Sequence, residues 1–281
     1  MVVMMVVLVM MVFAHNAEDS RNIQALSSAE TGNAHRMDRW ISRLLILIGV
    51  VATTFALFLT GDAFAANGAY MVDAADISDL GSCKLESWLS TATNSDFLGV
   101  ANPSCVVDLG KPVELSLLTT HYRSDGEWGT FVQPKVKFNI EPTGIGKFGY
   151  SFLAGAAFDT KTGEAMTAFA EIPATFRFSE VTRINLNAGW YWDRSIDKHY
   201  LIYGGGFDWK LSKVWDFTIE AFGLLGAAAD MPSTIRPRIQ TGFRYRPNET
   251  FSVDVIYGHN ITGEGANWIT VGTTVRFPPP K

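Results

Sequence analysis

Along the segment from Arg183 to Trp192, Ile184, Leu186, Ala188, Trp190 and Trp192 alternate with Arg183, Asn185, Asn187, Gly189 and Tyr191. A period of two puts alternate side chains on opposite faces of an extended strand, one greasy and one largely polar. Phe251, Val253, Val255 and Tyr257 repeat the pattern against Ser252, Asp254, Ile256 and Gly258, as do Ile269, Val271, Val275 and Phe277 against Thr270, Gly272, Thr274 and Arg276. After residue 82 no long stretch carries apolar residues at helical spacing, so the predicted fold is all-β. The runs predict 12 strands near 83–91, 97–106, 112–123, 129–141, 146–158, 165–178, 181–193, 199–211, 214–225, 237–247, 250–259 and 266–277.

Alternation alone also fits a soluble β-sandwich. Strand length favours an antiparallel up-and-down transmembrane barrel, because runs of about ten residues or more match a tilted bilayer crossing. An even strand number puts both ends of the barrel on one side. Compact turns at Ser179-Glu180, Ser212-Lys213 and Pro247-Asn248 alternate with longer connections such as DRSIDKH, GAAADMPSTIRP and NITGEGAN. Short turns then face the periplasm and longer loops the exterior, although EPTGIGK is not very short and the first loop not long. Aromatic residues gather towards strand ends, among them Trp190, Trp192, Phe207, Trp209, Trp215, Phe217, Tyr257 and Trp268, where interfacial girdles would place them.

Upstream, MDRWISRLLILIGVVATTFALFLTGDAFA places Arg39 and Arg43 before an apolar run and ends it on Ala63-Phe64-Ala65. That order is a secretory signal over residues 37–65 with cleavage after Ala65, the alternative being an uncleaved membrane helix. Met37 is the expected start, and residues 1–36 an extension without bearing on the fold. Residues 66–82 are then an N-terminal periplasmic or plug segment, 83–277 the barrel and 278–281 a tail.

A net charge of −5, with basic residues scattered singly, excludes nucleic acid as a partner. Two cysteines cannot close a zinc site, and no cofactor is implied. Cys83 and Cys105 flank the first hairpin symmetrically about residue 94, which predicts a disulfide in an oxidising periplasm.

Two resemblances follow. TVGTTVRF, residues 270–277, resembles the β-signal read by the barrel-assembly machinery, though Pro278, Pro279, Pro280 and Lys281 follow the closing aromatic. CKLESW, NPSCVV and PVELSL are similar to segments of uncharacterised proteobacterial barrels grouped with the meta-pathway phenol-degradation family. That resemblance implies a Gram-negative outer-membrane barrel passing small compounds, aromatic ones among them, as solutes.

If the greasy face meets outer-membrane lipid, the other parity lines the lumen. It holds Glu114, Lys135, Lys137, Glu171, Arg177, Arg183, Asp208, Lys210, Asp216, Glu220, Arg244, Asp254 and Arg276. Most of the cations, with Arg246, fall towards the periplasmic end. They make either a constriction that selects solutes or a network of ion pairs that fills the barrel. The G-x-G-x-x-G of Gly144, Gly146 and Gly149 precedes a strand, not a helix, so dinucleotide binding is not expected. Gly204, Gly205 and Gly206 mark a bend or a close backbone approach, and Pro134 and Pro173 predict bulges. His121 and His259 fall on the lipid parity near outer strand ends, with no serine close in sequence. The expected function is a monomeric channel for small solutes. The alternatives are a plugged structural or adhesive barrel and, third, a lipid-modifying enzyme.

Overall fold

A computed structural model describes residues 69–226, 237–261 and 266–279. The signal segment with Ala63 and Ala65, residues 1–36, and the middles of the two longest connections lie outside the described residues. The chain from Cys83 to Phe277 closes into an antiparallel barrel of 12 strands, each paired with its sequence neighbours and the last with the first. They are β1 (Cys83–Ala92), β2 (Phe97–Asp108), β3 (Pro112–Ser124), β4 (Glu127–Glu141), β5 (Phe148–Asp159) and β6 (Ala165–Arg177). The circuit continues through β7 (Thr182–Asp193), β8 (Lys198–Lys210), β9 (Trp215–Leu225), β10 (Arg238–Tyr245), β11 (Phe251–Asn260) and β12 (Trp268–Phe277).

Closure turns the alternating pattern inside out relative to a soluble protein. Leu186, Val255 and Ile269 are 44 %, 53 % and 53 % exposed on the outer face, whereas Asn185, Asp254 and Thr274 face the lumen and are almost wholly buried. Water would not tolerate so continuous an apolar exterior, but lipid requires one, and closure leaves no edge strand unpaired in it. The sandwich is thereby excluded.

Two aromatic clusters band the outside. At the end where β1 begins and β12 finishes, here the proximal end, Trp215 packs on Tyr245, Phe217 on Phe243, and Phe176 on both Phe148 and Phe178. At the distal end Trp128 contacts Phe97 and His121, and Trp190 stacks on His199. Amphipathic rings at both rims suit a membrane interface. Trp268 does not belong to either band. Its indole lies over Gly258, where an added Cβ would come within 1.9 Å of the ring, and donates to Gln240 Oε1 inside the barrel.

The ladders correct the expectation of bulges at Pro134 and Pro173. Each proline keeps register on one side, Pro134 with Leu117 and Pro173 with Asn187, while its pairing to β5 lapses with no shift. A missing N–H removes ladder bonds on one side only, which a long strand tolerates. The register shifts occur instead at Asn139/Glu141 and Ala157/Phe158. DRSIDKH also shortens to a turn at residues 194–197, because Asp193 pairs with Lys198. Between β3 and β4 a two-residue turn suffices, since Asp125 and Gly126 both adopt positive φ, 51° and 86°.

Residues 69–82 run inside the barrel. The segment leaves β1 at the proximal end, where Gly81 N donates to Val106 O, and crosses the lumen as irregular chain with Tyr70, Val72, Ala74 and Ala75 buried.

Candidate functional site

The lumen is built from the polar parity of all the strands and from the segment that crosses it. Before Gly81 and Ser82, which bond to Val106 of β2, luminal side chains satisfy polar groups of the segment's backbone. Glu220, midway along β9, accepts from Met71 N at 2.6 Å and from Val72 N at 2.9 Å, and also receives the Gln240 amide. Thr175 Oγ1 accepts from Ala75 N at 2.8 Å, and Lys137 Nζ donates to Ala74 O at 2.6 Å. Glycines make the room. A Cβ on Gly204 would stand 3.0 Å from Val72 Cγ2, and one on Gly242 would stand 2.7 Å from Tyr70 Oη. The Gly204–Gly206 run therefore serves a close backbone approach.

Asp76 is the segment's ionic anchor. Its carboxylate meets Arg177 at 2.9 Å and Arg183 at 3.1 Å and accepts from the Thr143 hydroxyl. Burial alone would raise its pKa, but the Thr143 hydrogen bond and the two guanidinium groups outweigh that and hold the carboxyl below its usual range. Burial also raises the Tyr70 phenol, with Asp254 adding to the effect, so it stays neutral.

From this anchor an ion-pair network spreads around the proximal lumen. Arg183 reaches Asp208 at 2.8 Å, and Asp208 further accepts from Asn185 and Thr218. Arg244 binds Asp254 through two contacts of 2.6 and 3.1 Å, and Arg246 pairs with Asp216. On the opposite wall Lys84 bridges Glu114 at 3.2 Å and Glu86 at 3.5 Å, and Lys137 lies 3.6 Å from Asp73. Arg276 donates to Ser252 at 3.5 Å.

The proximal half of the lumen is thus largely consumed by its own charges, leaving a pocket of about 40 Å³ among Arg177, Arg183, Asp208, Asp216, Arg244 and Arg246. Above the segment the lumen widens into a chamber of about 380 Å³. Its floor is Tyr70, Met71 and Asp73. Its β1–β4 wall is mostly polar, and its β5–β9 wall carries Leu153, Phe169, Ile202 and Phe222.

Among the residues singled out from sequence, Glu114, Lys137, Arg177, Arg183, Asp208, Asp216, Arg244 and Asp254 all enter this proximal network, while Glu220 holds the segment. Glu171 and Lys135 line the chamber, which Glu114 and Lys137 also border. Cys83 and Cys105 are directly opposite in the β1–β2 pair and disulfide-bonded. Sequence reasoning missed Lys84, Glu86 and Trp88, although their parity in CKLESW marks them, and it missed Asp73 and Asp76, which no periodicity marks. His121 bonds Thr130 and stacks on Trp128, and His259 pairs with Asn267. Neither histidine's partner is a serine.

The family described as "Uncharacterised conserved protein UCP029691" matches residues 54–277. No curated protein matches the chain. Among solved structures, the KdgM porin superposes with a TM-score of 0.53 at 10 % identity, over 69 % of this chain and 99 % of that one. The NanC porin gives 0.53 at 8 % identity, over 68 % of this chain and 98 % of its own. The COG4313 outer membrane channel from Pseudomonas putida F1 gives 0.50 at 9 % identity, over 74 % and 100 %. At such identities the likeness is one of fold, that of outer-membrane porin barrels. The resemblance to the meta-pathway phenol-degradation family is not among these findings.

Proposed function

The chain belongs to this UCP029691 family, and from that premise we propose that it is a bacterial outer-membrane channel for small solutes whose aperture is set by residues 69–79. The observation that carries this reading is a membrane-type barrel whose polar lumen keeps a chamber of about 380 Å³ above a segment held by hydrogen bonds and ion pairs. Twelve strands lie between barrels of about eight, which side chains fill, and those of about sixteen, which hold aqueous channels. A crossing segment is therefore enough to decide between narrow and closed. The similar structures named porin and channel support passage of solutes. The polar β1–β4 wall and the charged proximal mouth favour small polar solutes over aromatic ones. The proximal end, where β1 begins and the TVGTTVRF strand closes the barrel, faces the periplasm and the assembly machinery, and the largely apolar exterior suits a monomer.

A second reading has one observation in its favour: the segment and its ion pairs occupy the proximal lumen, as a plugged structural barrel would require. Single-channel conductance of the folded protein in planar bilayers separates the two. Wild type should show a small, stable unit conductance that rises at least twofold in Glu220→Gln, where a weaker acceptor holds Met71 and Val72. Folded protein silent in both forms would leave the plugged barrel.

A further inference from the structure

We propose that the distal chamber is a binding site for a zwitterionic solute of free amino-acid size with an apolar side chain, held between Lys135, Glu171 and Asn187. The proposal rests on the lumen being a solute route and names the class of solute.

Most ions around the chamber are already occupied. Lys84 is shared by Glu86 and Glu114, Lys137 is held by Asp73 and the Ala74 carbonyl, and Arg238 lies over the Trp268 ring. Lys135 and Glu171 differ. Both line the chamber, yet neither has a counter-ion within 4.0 Å among the described residues. A third group, Asn187, is almost fully buried on the same wall, its amide nitrogen beside the Glu171 carboxylate and its oxygen without a partner among the described residues. Buried polar groups without partners are costly and uncommon. Here a buried amide, a buried carboxylate and a half-buried ammonium group converge on one cavity.

The ladder fixes their arrangement. Lys135, Gly155 and Phe169 are direct partners across β4, β5 and β6, and Lys137, Leu153 and Glu171 form the neighbouring row. Lys135 and Glu171 therefore stand diagonally across β5, apart instead of paired. Gly155 is what lets the Lys135 stem and the Phe169 ring lie together, since a Cβ there would come within 2.9 Å of Lys135 Cγ and 2.8 Å of Phe169 Cε1.

Charge complementarity then selects the ligand. A simple anion on Lys135 would leave Glu171 facing like charge, and a simple cation on Glu171 would leave Lys135 in the same position. A molecule with a carboxylate for Lys135 and an ammonium for Glu171 and the Asn187 oxygen satisfies both. Its remaining part meets Leu153, Phe169 and Phe222, an apolar surface that suits an aliphatic side chain. The chamber volume falls within the range of small-molecule sites.

Titration calorimetry on the full protein folded in detergent tests this with leucine, 4-methylpentanoate, which lacks the ammonium, and 3-methylbutylamine, which lacks the carboxylate. Leucine should bind at least tenfold more tightly than either analogue. Lys135→Gln and Glu171→Gln should each weaken leucine at least tenfold, with folding checked by heat-modifiable gel migration. Equal affinity for the three compounds, no leucine binding, or unchanged binding in folded variants would overturn the proposal. Should Glu171→Gln fail to fold, the analogue series on the unaltered protein still decides. Conductance without leucine binding would sink this site and spare the channel, whereas leucine binding to a non-conducting barrel would do the reverse.

Discussion

The Cβ of Val72 lies 3.5 Å from where a Cβ on Gly206 would stand, although one residue belongs to the crossing segment and the other to β8. That separation is within the range of about 3.5–4.5 Å that a disulfide spans. Val72→Cys with Gly206→Cys should therefore cross-link on oxidation and fix the segment in place. Added to Glu220→Gln, the cross-link should return the enlarged conductance to the wild-type level, and reduction should release it. A single-cysteine control under the same reductant accounts for opening of Cys83–Cys105. A cross-linked channel that still conducts at the enlarged level would show that the segment does not set the aperture.

Asp76 gives the segment a pH dependence of definite sign. Its folded pKa is depressed, so its contribution is complete above the unfolded value of about 3.9 and is lost as pH falls through the folded one. A spin label at Met71→Cys should stay immobile from neutral pH to about pH 5 and become mobile only on stronger acidification. Asp76→Asn should mobilise the label at neutral pH and flatten the response. An immobile label in that variant would mean that the Glu220 and Thr175 hydrogen bonds hold the segment unaided.

The barrel was legible because lipid and lumen impose opposite demands on successive residues. Ile184 to Trp192 needed only a count of two to be placed, and the parity that exposes Leu186 buries Arg183 and Asn185. Cys83 and Cys105 were legible because a hairpin makes symmetry a distance. The crossing segment was legible only as one of two alternatives for residues 66–82, periplasmic or plug, since VDAADISDL has no period and its determining contact joins Met71 to Glu220, 149 positions away. For the same reason sequence placed the charges in the lumen but left open whether they were paired. Pairing of Arg183 with Asp76, 107 positions distant, depends on where the segment lies. Trp268 was misplaced because its position near a strand end suggested a girdle, whereas its parity with Thr270 points inward.

Arg244 and Asp254 face each other in the β10–β11 ladder and are both almost completely buried. Removing one partner leaves an uncompensated charge, so Asp254→Ala should destabilise the barrel by about 3–5 kcal/mol. Replacing both, as Arg244→Met with Asp254→Leu, should recover most of that loss, because neither desolvation cost remains. Urea unfolding of the lipid-embedded protein measures all three. A double variant as unstable as Asp254→Ala would mean that the pair supplies net stability beyond mutual neutralisation, through contacts such as that of Arg244 with the Tyr70 ring.

Leu186 and Gln133 test the two faces against each other. Leu186 is outward-facing in β7, paired with Ala174 and Gly205 well inside the strand, whereas Gln133 lines the chamber. An arginine at bilayer depth on the lipid face costs about 2–4 kcal/mol, since the guanidinium must thin the bilayer or reach its interface. Leu186→Arg should show a loss of that size in folding free energy measured in lipid vesicles. Gln133→Arg, which adds the same charge to a polar lumen, should change it by under about 1 kcal/mol. The reverse order would mean that β4 and β7 present the opposite parity to lipid. A slip of one residue would do that, exchanging the two faces together and taking Lys135 and Asn187 out of the chamber.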